Sequence, residues 1–100
     1  MRRGDLRRLE RLETPSRADY VVARSRASAW TLRSFGAGLE DNEEADLKGY
    51  GEADFASDCE LMGRYRNSLD PERRKREQHT LLRDAYRELE RRGVDPRAVP

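Results

Sequence analysis

The chain has one cysteine, Cys59, and one histidine, His79. A thiol nucleophile and its base would have to be drawn from this pair, and that chemistry needs a third group to orient the base. Neither residue sits in a setting that asks for it. Cys59 falls on an apolar helical stripe between Phe55 and Met62 and reads as a packed core thiol. His79 stands between a basic and an apolar zone and reads as a boundary histidine. No catalytic residue is assigned. One Cys and one His cannot complete a structural zinc site without carboxylates. The run Glu40-Asp41-Asn42-Glu43-Glu44-Ala45-Asp46 lacks the central glycine and alternating ligand order of a calcium loop. Gly36-Ala37-Gly38 and Gly49-Tyr50-Gly51 read as hinges, since neither carries the signature of a phosphate-cradling loop. No metal, cofactor or small-molecule substrate is expected.

Arg73-Arg74-Lys75-Arg76 is the strongest candidate for a binding surface. On a helix, Arg73, Arg76 and Thr80 share a face, with Arg74, Lys75 and Gln78 beside it. Nothing apolar shares these two turns, so they should project past the core. A projecting basic helix end is the geometry used to enter a groove or follow a phosphate backbone. Two features weaken a nucleic-acid reading. Glu72 with Arg76 and Arg73 with Glu77 stand at pairing distance along a helix, which would use two of the four charges. The isoelectric point is 7.9, against roughly 9 or more for a dedicated nucleic-acid module. A solvated face, or one docked on an acidic protein surface, is favoured. Arg7 and Arg8 near the N-terminus join this candidate basic surface. Its acidic counterpart is Glu40, Asp41, Glu43, Glu44 and Asp46.

These charges come in blocks. Residues 1–33 carry a net +5, residues 34–60 a net −8 and residues 61–100 a net +4, within a total of +1. Such a pattern fits internal neutralisation on folding, and less well a head-to-tail contact between copies. The core available to hold them is thin: eleven Leu, four Val, two Phe and no Ile. A monomer burying only these would be marginal, so a partner or a second copy is expected to add apolar burial.

The elements that position these residues are helical. Residues 5–13 suggest a short helix through Leu6, Leu9 and Leu12, ended by Pro15. A second helix follows, capped by Thr14 with Pro15 inside or by Ser16 with Asp19 three residues on. Tyr20, Ala23, Ala27 and Trp30 form one face, with Val22, Ala29 and Leu32 on the next. A strand pair over 20–35 competes, because Val21, Val22, Trp30, Thr31 and Phe35 favour sheets. The alanines, which would also let another helix approach closely, and the absence of Gly or Pro from residues 20–35 favour helix. Residues 36–51 form an acidic connector with room for a turn of helix from Asn42. Phe55, Cys59, Met62, Tyr65 and Leu69 then mark one face of a third helix. The last starts at Asp70-Pro71, carries Leu81, Leu82, Ala85, Tyr86 and Leu89 in a second half expected to be buried, and stops at Gly93, with Val94 placed to touch Leu89. The short link 67–71 makes the final two helices an antiparallel hairpin.

The expected fold is all-α: a single domain over 1–100, a small bundle of three main helices plus a short N-terminal helix. Residues 1–14 are its basic arm and 94–100 a short tail. No apolar run approaches the roughly 18 residues of a membrane span. The N-terminus has no signal core, and the lone cysteine suits a reducing compartment, so a cytoplasmic location is expected. The function these features favour is non-enzymatic: an interaction or assembly module that binds a larger protein or its own copies through helix faces and Arg-rich rims. The alternative is a nucleic-acid-associated packaging or regulatory protein using the start of the last helix.

Overall fold

The computed structural model describes residues 14–97. The helix expected over 5–13, with Arg7 and Arg8, lies outside the described residues. Among those described there are four helices and no strand: α1 (Arg17–Ser34), α2 (Asp41–Asp46), α3 (Glu52–Asn67) and α4 (Pro71–Arg91).

Of the two starts open to α1, the Ser16 cap forms. The Asp19 amide donates to Ser16 Oγ at 3.0 Å, and the Ser16 amide donates back to the Asp19 carboxylate at 3.3 Å. This reciprocal pair satisfies two amides that the first turn would otherwise leave open. The helix then runs unbroken through the segment in which strands competed. α4 starts as its residues suggest, with Asp70 Oδ1 accepting from the Arg73 amide at 2.9 Å and Pro71 at the first helical position. The acidic connector does contain a helix, α2, one residue earlier than Asn42.

Both long helices that end near the connector stop in the same way. Gly36 and Gly93 take φ of +82° and +79°, a region in which a side chain is strained. The Ala37 amide bonds back to Leu32 O, and the Val94 amide to Leu89 O, both at 2.9 Å. These are paired Schellman endings. They bring Leu32, Ala37 and Leu89 into one cluster, flanked by Phe35, Leu39 and Val94.

The larger cluster lies between α1 and α3. Tyr20, Ala23 and Ala27 meet Met62 and Tyr65, with Phe55, Leu61, Leu69 and Leu81 at its edge. Alanine is what permits this. Ala23 is fully buried, and with no side chain beyond Cβ it lets the two backbones come close. Tyr20 stacks on Tyr65 with centroids 4.4 Å apart, and Trp30 stacks on Phe55 at 5.9 Å. The start of α1 thus meets the end of α3, so the two are antiparallel. α4 reverses again, giving the expected hairpin with α3. It stands further from both, held by Leu81, Leu89 and ion pairs rather than by continuous packing.

One tie was not foreseen. Asp58, between Phe55 and Cys59 in sequence, is buried. Its carboxylate receives Nε and Nη2 of Arg26 at 3.1 and 3.0 Å and the Tyr50 hydroxyl at 2.8 Å. Tyr50 in turn meets Trp30 edge-on at 5.5 Å. The cluster fastens α1, the α2–α3 loop and α3 together. Burial, and then the bond to Asp58, push the Tyr50 hydroxyl pKa far above its ordinary value.

Candidate functional site

The core is in two pieces, and a groove lies between them. Where α4 stands off α1 and α3, a cavity of about 320 Å³ opens. Ala27, Ser28 and Thr31 of α1 line it, with Phe55, Cys59 and Met62 of α3 and Leu81, Leu82 and Ala85 of α4. Its lining is predominantly apolar. The charged residues at its margin are engaged within the chain: Arg24 Nη2 binds Asp84 at 2.9 Å, and Arg92 Nε binds Glu88 at 2.9 Å.

The stripe on α4 was expected to be buried along its length. Leu89 alone is buried among its residues, while Leu82 and Tyr86 are 53% and 54% exposed. The stripe is wider than the contact that α4 makes, so its outer half has nothing to cover it. Cys59 was expected in the core and is exposed. Of its stripe, Met62 and Tyr65 turn to α1, and the position facing inward beside them is taken by Asp58. Cys59 stands on the groove side of α3. The thiol there is still desolvated enough to raise its pKa, with the charge of Asp58 adding to the rise.

The basic residues of α4 lie on another face. Lys75, Arg76, His79, Thr80 and Arg83, with Glu72, border an open hollow on its solvent side. Arg73, Arg74, Lys75 and Arg76 are all exposed. The expected pairs Glu72–Arg76 and Arg73–Glu77 do not form. Glu77 is drawn inward, accepting from the Tyr20 hydroxyl at 2.9 Å and lying 3.6 Å from Arg24. Arg74 reaches back to the Leu69 carbonyl at 3.3 Å. Among the described residues no ion pair reaches Arg73, Lys75 or Arg76. His79 and Cys59 line different hollows, so they do not come together as base and nucleophile.

The acidic candidates divide. Glu43 makes a two-pronged pair with Arg92, at 2.7 and 3.0 Å, and Glu40 lies 3.8 Å from Arg91. Arg92 also binds the Gly38 carbonyl at 2.9 Å, so it clamps the connector to the end of α4. Its guanidinium lowers the Glu43 pKa, and Arg91, then Arg92, lower that of Glu88. Asp41, Glu44 and Asp46 are exposed on α2. Among the described residues no group of three His, Cys, Asp or Glu side chains is placed to hold a metal, and no helix is long and apolar enough to cross a membrane. No family model, no curated protein and no solved structure matches the chain.

Proposed function

We propose that this chain is a non-enzymatic interaction module that receives the apolar face of an amphipathic helix from a larger protein in the groove beside α4. The observation that carries this is the mismatch on α4: a strongly amphipathic helix buries one residue of its stripe and presents Leu82 and Tyr86 next to an apolar cavity. Helix-in-groove recognition uses such a trough, filled by anchors spaced three and four residues apart. An apolar hole of roughly 150 Å³ takes up one benzene ring, so the groove has room for the ends of about two anchor side chains. Charges at its margin are already paired, so recognition rests on apolar shape. The partner also supplies the burial that the thin core lacks.

Cys59, the sole thiol and a lining residue, allows a direct test. A photoreactive maleimide placed there on the full chain crosslinks whatever enters the groove. The expected result is a single adduct with a protein of defined mass, lost in Ala85→Trp, which fills the cavity. Light scattering that finds a stable monomer, together with no adduct that Ala85→Trp removes, overturns the reading. An adduct of twice the chain's own mass replaces the foreign helix by a second copy.

A further inference from the structure

The groove leaves the opposite side of α4 unexplained. Arg73, Arg76, Arg83 and Arg87 recur along its solvent face, all exposed. Arg83 has only a loose 3.6 Å contact with Asp84, whose carboxylate Arg24 already holds at 2.9 Å. The other three have no ion pair among the described residues. We infer that this arginine stripe is a docking surface for the phosphate backbone of a double-stranded nucleic acid.

Three observations carry it. The stripe holds more free charge than its sequence suggests, because Glu77, the acid placed to neutralise Arg73, is turned toward Tyr20 and Arg24. The fold gains nothing from the cations at the start of this stripe. Positive side chains in the first turns of a helix oppose its macrodipole, and Arg73, Lys75 and Arg76 contribute no tie to the rest of the bundle. The helix end itself is not the site, since Asp70 already accepts from its amide. Finally, the arrangement is linear. From Arg73 to Arg87 the helix advances about 21 Å at 1.5 Å per residue. That is about six steps along a duplex at 3.4 Å per phosphate on each strand. Forked guanidinium donors match phosphate geometry, and the Thr80 hydroxyl and His79 stand among them. Glu72 and Glu90 stand near the two ends and limit the footprint to this span.

The test is fluorescence anisotropy of a labelled duplex DNA of mixed sequence, titrated with the full chain at 50 and 200 mM salt. Four phosphate contacts give a log–log slope of about −3.6, so this fourfold rise in salt should weaken binding about 150-fold. Arg76→Glu/Arg83→Glu, and the milder Arg76→Gln/Arg83→Gln, should abolish or strongly weaken it with helicity by circular dichroism unchanged. Arg97→Glu, beyond the stripe, should leave it intact. No binding at 50 mM salt overturns the inference, as does binding that both double variants retain. Equal retention of a poly-glutamate chain overturns it in favour of an acidic protein surface.

Discussion

Removing Arg26 should destabilise the chain more than removing Asp58, although Arg26 is the more exposed of the pair. The side chains are 40% and 8% exposed. In Arg26→Ala, the Asp58 carboxylate stays buried with the Tyr50 hydroxyl as its remaining donor. Stripping the partner from a fully buried charge costs roughly 3–5 kcal/mol, and the partial exposure of this pair places it near the lower end, about 3 kcal/mol. In Asp58→Ala the guanidinium is close enough to solvent to rehydrate. The losses are then the Tyr50 bond and the net gain of the pair, about 2 kcal/mol. The sharper expectation concerns the double variant. Once Asp58 is gone, Arg26 has little left to do, so Arg26→Ala/Asp58→Ala should be more stable than Arg26→Ala alone, by about 1 kcal/mol. For a chain of this size that is about 4–8 °C in Tm. Thermal unfolding followed by circular dichroism on the four proteins completes the cycle. A double variant less stable than both single variants would mean that the two residues act independently, and the buried-charge argument would fail.

Acid should loosen the clamp on the connector. The folded-state pKa values of Glu43 and Glu88 lie below the ordinary 4.5, so their contribution is complete above about pH 4.5 and is lost as pH falls through the lowered values. Tm should drop on acidification below that point, and Glu43→Gln should shrink the drop while lowering Tm at pH 7. The glycine endings can be probed as well. A Cβ on Gly93 would meet nothing within 4 Å, so Gly93→Ala should cost only the strain of its φ of +79°, about 1–2 kcal/mol. Denaturant titration should show an unchanged slope with a lower midpoint, whereas a lower slope would mean that the Leu89–Val94 ending had opened.

Much of the bundle was legible because local chemistry decides it. Ser16 with Asp19, Asp70 with Pro71, and Gly93 before Val94 act within one turn of chain. Their effect needs no knowledge of the rest. The antiparallel hairpin follows from a link too short for any other path. The alanines of α1 marked the close approach of a second helix. Asp58 was hidden for the opposite reason. An acid in a helix reads as solvent-facing, and its burial depends on Arg26 and Tyr50, one on another helix and one in a loop. No periodicity carries that information.

The same division runs through the candidate surfaces. Which residues are apolar, which are charged, and where helices start and stop can be read along the chain, since those are properties of side chains and single turns. How far α4 stands from α1 and α3 depends on the packing of the whole bundle. That distance exposes Leu82 and Tyr86, brings Cys59 to the edge of a groove, and turns Glu77 inward so that Arg73 is left unpaired. Pairing between charges is a competition among all partners within reach. In a folded chain the winner for Glu77 was Tyr20 and Arg24, more than fifty residues away in sequence.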